Sequence, residues 1–191
     1  DKEYEADENP QISPKSPVKW PEDGKLNITA LFSEGEKFNL KLNCYDEEGR
    51  FDLEKESRND RTTNGIELSC KAPPRFRNEE KNITLEYCDE AGNCLNETKK
   101  YQFDGDKPTI QSVNLPSKNI KGDFKLPIEA SDKTTNITSI YYKIGDQEIK
   151  ESNLENGKLL VKTGELKRGE KTLGIVVEDS VGHRSNSREV N

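Results

Sequence analysis

The sequence predicts an all-β protein made of two β-sandwiches in tandem, preceded by an extended N-terminal segment. Two observations lead to this prediction. Apolar residues alternate with polar residues over many short stretches, which is the period of a half-buried strand. Acidic turns that contain glycine separate these stretches at intervals of roughly 8–12 residues, as in sandwich folds. We expect domains at residues 22–105 and 106–191, with residues 1–21 outside both.

The composition of the 191-residue chain is polar and acidic. Only 29% of the residues are hydrophobic and 35% are charged. Two thin cores, each in a sandwich of about 80–100 residues, therefore suit the chain better than one large core. The net charge of −7 is opposite in sign to the basic surface that binds nucleic acid. No apolar run reaches the length of a membrane span. We therefore expect no nucleic acid as a partner and no membrane span in this chain.

The first 21 residues have two interpretations. Prolines at positions 10, 14, 17 and 21 exclude a helix and a central strand, which favours a flexible or extended linker. However, Ile12, Val18 and Trp20 share one period-2 phase, which favours an edge strand. Such a strand would pair with the chain's own sheet or, as a donated strand, with the sheet of a neighbouring molecule.

The strands of both domains follow from the alternating apolar residues. In the first domain, strands are expected at Leu26 to Phe32, Phe38 to Cys44, Phe51 to Leu53, Ile66 to Cys70, and at 82–88 and 95–103, which form a hairpin around an acidic turn. In the second domain, they are expected at Val113 to Leu115, Phe124 to Ala130, Ile140 to Ile144, Leu159 to Val161, Leu173 to Val177, and 184–190.

The four cysteines predict two disulfides. Zinc is disfavoured because no C-x-x-C pair is present. Cys44 and Cys70 share the phase of their apolar neighbours and should point inward, whereas Cys88 and Cys94 should point outward. Because bonded cysteines need converging Cβ atoms, we predict Cys44–Cys70 across neighbouring strands and Cys88–Cys94 across the hairpin. The alternative pairs Cys44 with Cys88 and Cys70 with Cys94.

Four N-x-T triplets are candidate N-glycosylation sites, with their asparagines at Asn27, Asn82, Asn96 and Asn136. The first three asparagines fall on the outward phase of predicted strands, as attachment of a glycan requires. Together with the paired cysteines, these triplets predict a secreted or cell-surface protein in an oxidising compartment.

The sequence offers little catalytic chemistry. The single histidine, His183, lies in a turn, which favours a structural role. The sequence contains neither a P-loop nor a nucleophile elbow, and we find no pair of carboxylates that can be placed across a cleft as acid and base. We therefore expect a non-enzymatic protein without catalytic residues or an organic cofactor.

The turn motifs resemble those of bacterial and archaeal extracellular immunoglobulin-like repeats. These repeats carry a D-x-x-G-N turn, then a strand that ends in Asp, then a Pro that opens the next repeat. Here the pattern is Asp89…Gly92-Asn93, Phe103-Asp104 and Lys107-Pro108. The second domain repeats the turn as Asp179…Gly182, with His183 where Asn is expected. The resemblance covers residues 22–191 and implies two tandem immunoglobulin-like sandwiches in a stalk, adhesin, surface-layer or filament component.

The immunoglobulin-like layout also implies a candidate calcium site at the domain junction. The loops that hold Asp132 and Asp179 should lie at the end where the chain enters the second domain, near Asp104 and Asp106. Four carboxylates at a linker are suitable ligands for Ca²⁺. The competing interpretation is that these side chains only cap their own turns, and we prefer it.

These observations favour a non-enzymatic structural or adhesive protein of the cell surface. Self-association or another surface protein is the expected partner. In one version of this hypothesis the protein is a pilus-like filament subunit that assembles by donation of the N-terminal strand, with Ile12, Val18 and Trp20 as anchors. The alternative is a carbohydrate- or protein-binding module from a larger secreted adhesin or enzyme.

Overall fold

The computed structural model describes residues 10–32, 41–51, 60–62, 65–88, 91–115, 120–147, 149–152, 154–164 and 169–191. These residues form strands and loops, with one short 3-10 turn at Pro74–Phe76. No segment among them forms a helix with the length and hydropathy that a membrane span requires. The chain divides into two compact units, Asp1–Gly105 and Asp106–Asn191. The predicted strand residues Phe38, Leu40 and Leu53 lie outside the described residues.

The first unit contains two β-sheets. One sheet has the strand order β1, β3, β7, β6, with bounds Gln11–Ser13, Leu26–Phe32, Gly65–Ala72 and Asp60–Thr62. The other has the order β2, β9, β8, β4, β5, with bounds Val18–Lys19, Cys94–Asp104, Glu80–Cys88, Lys41–Asp46 and Gly49–Arg50. All neighbouring strands are antiparallel except β2 and β9, which are parallel.

The core of the first unit lies between these two sheets. Its strands bury every second residue, as the sequence pattern predicted, because successive side chains of a strand point to opposite faces. An aromatic cluster fills one part of the core: Phe103 stacks on Phe76 and Tyr101, and Trp20 meets Phe103 edge to face. Such pairs add stability beyond the apolar area that they bury.

The described part of the N-terminal segment, residues 10–21, packs on this core. Residues 11–13 pair with β3 and residues 18–19 pair with β9, so the segment crosses from one sheet to the other. Val18 and Trp20 are buried, and Ile12 packs against the same core. These residues are therefore edge strands on the chain's own sheets, as one of the interpretations predicted, and not a linker outside the domain. Donation of a strand to a neighbouring molecule stays a prediction. The alternation of these three residues serves this chain's own sandwich.

The described residues of the second unit also form two sheets. One sheet has the order β10, β11, β15, β14, with bounds Thr109–Val113, Phe124–Ser131, Lys158–Val161 and Leu154–Glu155. The other has the order β13, β12, β16, β17, with bounds Lys150–Ser152, Ile137–Ile144, Leu173–Asp179 and Arg188–Val190. All of its neighbouring strands are antiparallel.

The core of the second unit contains neither cysteine nor tryptophan. Aliphatic side chains from both sheets fill it, together with the ring of Tyr142; the buried aliphatic residues are Leu126, Ile128, Ile140, Ile144, Leu159, Val161, Leu173, Ile175 and Val177. The last strand is shorter than predicted, because residue 184 forms an isolated bridge to residue 178 and pairing with β16 begins only at Arg188. The predicted architecture, two all-β immunoglobulin-like sandwiches in tandem, is confirmed.

Candidate functional site

The Cys44–Cys70 disulfide crosses the core of the first unit. Both residues are fully buried, and their Cα atoms are 6.3 Å apart, within the usual range for a disulfide. Cys44 lies on β4 and Cys70 on β7, which belong to different sheets. The structure thus contains the favoured pair, but the expectation of neighbouring strands was wrong. Inward phase predicts that two cysteines meet in the core and does not tell which sheet each strand joins.

The Cys88–Cys94 disulfide lies at the end of the β8–β9 hairpin. The two residues are directly opposite each other in the strand register, with Cα atoms 4.1 Å apart. Cys94 is exposed and Cys88 is half-buried. The described residues therefore contain no free cysteine, and the alternative pairing is not the one observed. Asp89 and Glu90, in the turn of this hairpin, lie outside the described residues.

A hydrogen-bonded carboxylate stands next to this second disulfide. Oε1 of Glu86 accepts hydrogen bonds from Nδ2 of Asn43 at 2.8 Å and from the hydroxyl of Tyr45 at 3.1 Å. Burial raises the pKa of Tyr45, and its hydrogen bond to Glu86 and the charge of that carboxylate raise it further. Strands β4 and β8 thus fix the direction of the Glu86 side chain on the outer face of their sheet.

The four candidate glycosylation asparagines, Asn27, Asn82, Asn96 and Asn136, are all exposed. Two of the triplets face each other across β8 and β9, where the hydroxyls of Thr84 and Thr98 are 2.8 Å apart. The backbone N–H of Asn82 donates to Glu47, which lowers the pKa of that carboxyl. Exposure makes attachment sterically feasible, and the use of these sites stays a prediction.

The predicted calcium ligands are divided between the two units. Asp104 ends β9 in the first unit, whereas Asp106, Asp132 and Asp179 belong to the second unit. Oδ1 of Asp132 accepts the backbone N–H groups of residues 134 and 135, and Oδ1 of Asp179 accepts those of residues 181 and 183. These bonds are the turn-capping interactions of the competing interpretation. Calcium binding by the four aspartates stays a prediction.

His183 is part of the turn that follows β16. Its imidazole is buried, and Nδ1 lies 3.4 Å from Oδ2 of Asp179. The backbone N–H of His183 donates to Oδ1 of the same carboxylate. The residue that replaces the expected Asn thus stands beside the aspartate that caps the turn, and its structural role stays a prediction.

The charge of Glu97 acts on two buried tyrosines of the first unit, Tyr87 and Tyr101. The hydroxyl of Tyr87 donates to Oε2 of Glu97 at 2.9 Å. Burial is the main cause that raises the pKa of Tyr87, and burial also raises the pKa of Tyr101 to about 12. The hydroxyl of Tyr101 has no hydrogen-bond partner among the residues that the structure describes. Both rings are core residues with neutral hydroxyls at physiological pH.

Sequence reasoning missed a polar cluster on the outer face of the second unit. The guanidinium of Arg184 stacks on the ring of Tyr141, 4.3 Å from its centroid, and pairs with Oε2 of Glu178. The hydroxyl of Tyr141 lies 3.4 Å from the other oxygen of the same carboxylate. The outward phase of Tyr141 and Glu178 was the available signal. This phase predicts that the two side chains share a face, but it does not predict that Arg184, from the turn after β16, contacts both of them.

A cleft lies beside the N-terminal strand of the first unit. Its volume is about 660 Å³, and its lining is mixed: Ile12 and Leu31 are apolar, and Lys15, Glu67 and Lys99 are charged. Lys99 also pairs with Glu97 on its own strand at 3.1 Å. This cleft was not predicted, because its lining residues come from four strands and a loop that are distant in sequence.

Comparison with known structures finds similar chains at low sequence identity. The fibronectin(III)-like modules of CbhA from Clostridium thermocellum are 16% identical; the match covers 95% of this chain and 91% of that chain, with a TM-score of 0.55. The N-terminal Ig1-2 module of the Drosophila receptor protein tyrosine phosphatase DLAR is 15% identical, with coverages of 96% and 95% and a TM-score of 0.31. No protein-family model and no curated protein matches the sequence. The likeness to the CbhA modules is one of fold alone.

Proposed function

We propose that this chain is a non-enzymatic, extracellular pair of immunoglobulin-like modules with a structural or adhesive role at a cell surface. The modules bind another surface protein or a second copy of the chain through the polar outer faces of their sheets. Two such faces are described above: the one with Asn43, Tyr45 and Glu86, and the one with Tyr141, Glu178 and Arg184. Both present hydrogen-bonding groups on rigid strands.

The observation that carries the proposal is the Cys44–Cys70 disulfide buried between two sheets of an immunoglobulin-like sandwich. Structural disulfides form and persist in oxidising compartments, which supports an exported protein. Among the described residues, two aspartates and most aromatic side chains also have structural contacts. Asp132 and Asp179 cap turns, and the aromatic rings lie mostly in the cores.

The filament version of this hypothesis is not part of the proposal. It required residues 1–21 to pair with a neighbouring molecule, whereas Val18 and Trp20 complete the chain's own core. A partner strand would have to replace these contacts before assembly.

Binding of the purified, oxidised chain to cells that produce it tests the proposal. We expect saturable binding that disappears after the cells are treated with a protease, because the proposed partner is a protein. Arg184→Ala and Tyr45→Phe would each alter one outer face without entering a core, and at least one should weaken binding about tenfold or more, as loss of an interface anchor does. Absence of binding to any cell-surface protein would contradict the adhesive role.

The cleft beside β1 favours a second candidate, a module that binds a carbohydrate or a small acidic ligand. Lys15 and Lys99 could hold a carboxylate or sulfate group, and Ile12 and Leu31 could contact an apolar face. A glycan array separates the two candidates. Selective binding that Lys15→Ala reduces, while Lys158→Ala at an exposed position of the second unit does not, would favour this second function.

A further inference from the structure

We propose that Glu86, Cys88 and Cys94 form a redox-controlled binding site for a thiophilic divalent cation such as Zn²⁺. The site opens when the Cys88–Cys94 disulfide is reduced. In the oxidised chain the ligand atoms of these three residues already lie within 4.8 Å of one another. This inference goes beyond the proposed role at a cell surface and does not depend on the identity of a partner.

Accessibility distinguishes the two disulfides. Cys94 is exposed at the end of the hairpin, whereas Cys44 and Cys70 are fully buried between the sheets. A dithiol reductant must bring its thiolate into contact with a sulfur atom, so it attacks the Cys88–Cys94 bond first. One thiolate of the reductant attacks a sulfur of this bond, forms a mixed disulfide and releases one cysteine thiolate. The second thiolate of the reductant then attacks the reductant's own sulfur in the mixed disulfide and releases the other cysteine thiolate. Two electrons pass to the protein, two cysteine thiols form, and the reductant leaves as a cyclic disulfide.

The strand register keeps the two thiols together after reduction. Strands β8 and β9 pair over nine successive positions, from Glu80 opposite Gln102 to Cys88 opposite Cys94. Both side chains start from the same face of the sheet, with Cα atoms 4.1 Å apart. Zn–S bonds of about 2.3 Å in a tetrahedral shell place two sulfurs about 3.8 Å apart, which rotation of the side chains can supply.

Glu86 supplies an oriented carboxylate as the third ligand. It precedes Cys88 by two residues, so both side chains are on the same face of β8. The hydrogen bonds from Asn43 and Tyr45 to Oε1 fix the carboxylate direction, as supporting groups do for ligands in metal sites. Binding of the cation releases the two thiol protons, and a water molecule completes a four-coordinate shell.

The first part of the test is selective reduction of the full, folded chain. The protein is treated with increasing concentrations of dithiothreitol, the free thiols are alkylated, and peptides are mapped by mass spectrometry. We expect Cys88 and Cys94 to be labelled at concentrations at which Cys44–Cys70 remains linked. Reduction of both disulfides at the same concentration, or of Cys44–Cys70 first, would overturn the proposal.

The second part measures Zn²⁺ binding by titration calorimetry after anaerobic removal of the reductant. We expect one site per reduced chain that the oxidised chain lacks. Glu86→Gln keeps the shape of the side chain and should weaken the affinity about tenfold or more. Glu80→Gln, on the same strand, is the matched control and should leave the affinity unchanged. Equal affinities of the two variants, or equal Zn²⁺ binding by reduced and oxidised chains, would refute the site.

Discussion

Tyr101 carries a hydroxyl that is buried without a hydrogen-bond partner among the described residues. Leaving such a group unsatisfied costs the free energy of its lost hydration. We therefore expect Tyr101→Phe to leave the free energy of unfolding at pH 7 unchanged or to raise it by about 1 kcal/mol. The matched change, Tyr87→Phe, removes a hydrogen bond to Glu97 and should destabilise by about 1–2 kcal/mol. Urea denaturation measures both, and a clear loss in Tyr101→Phe would contradict this account.

The same tyrosine predicts a loss of stability at high pH. The pKa of Tyr101 is raised to about 12 in the folded chain, whereas that of an unfolded tyrosine is about 10. Ionisation of this tyrosine therefore does not affect stability below pH 10, and the folded state loses stability as the pH rises from about 10 towards 12, because the tyrosine of the unfolded state ionises first. Tyr101→Phe should lessen this alkaline loss in denaturation experiments across that range. Identical pH profiles for the variant and the parent chain would contradict the prediction.

Asp46 is a buried carboxylate that pairs with the guanidinium of Arg75. Its Oδ2 lies 2.8 Å from Nη2 of Arg75, and its side chain has no exposed surface. Arg75→Ala should cost about 2–3 kcal/mol, because it leaves a buried charge without its partner. The control Lys100→Ala breaks a pair with Glu80 at the same distance, but both of its side chains are exposed. That change should cost less than about 1 kcal/mol. Similar losses of stability in both variants would contradict the prediction that burial of Asp46 makes its ion pair the more important one.

At the scale of the element, residues 11–13 and 18–19 supply one edge strand to each sheet of the first unit. Trp20 is buried against Phe103, so Trp20→Ala should destabilise the first unit by about 3–5 kcal/mol. Leu95→Ala, at the exposed end of the hairpin, is the control and should change stability by less than about 0.5 kcal/mol. If Trp20→Ala unfolded at the same urea concentration as the parent chain, the segment would not be part of the sandwich.

Side-chain phase predicted which face each strand buries, because that information is local. The alternation of Ile28, Ala30 and Phe32 was sufficient to locate β3 and its inward face. Phase could not tell which sheet a strand joins, since pairing depends on residues distant in sequence. For this reason the Cys44–Cys70 bond was predicted across neighbouring strands and was found between sheets.

The candidate sites were predictable to the extent that they are local. The Cys88–Cys94 hairpin was visible because both cysteines flank one turn. The support of Glu86 by Asn43 could not be inferred, since these residues are 43 positions apart and meet only through the β4–β8 pairing. The N-terminal segment had two interpretations because proline spacing suits both a linker and an edge strand.

At the scale of the whole molecule, the predicted calcium site remains to be tested. A cation held by Asp104, Asp106, Asp132 and Asp179 would bind only the folded chain and would raise its melting temperature. The turn-capping bonds of Asp132 and Asp179 favour an absence of effect. Thermal denaturation with and without millimolar Ca²⁺ decides this point. A rise in the melting temperature that Asp132→Asn abolishes would establish the site.

The most direct test is differential scanning calorimetry of the full chain in two forms. One form is oxidised, and the other has been fully reduced in denaturant and then refolded without its disulfides. Two sandwiches with separate cores should unfold in two transitions. All four cysteines lie in the first unit, so reduction should lower one transition and leave the other unchanged. Loss of Cys44–Cys70 alone should remove about 3 kcal/mol from the first unit. A single transition that reduction shifts as a whole would contradict the description of this protein as two immunoglobulin-like modules.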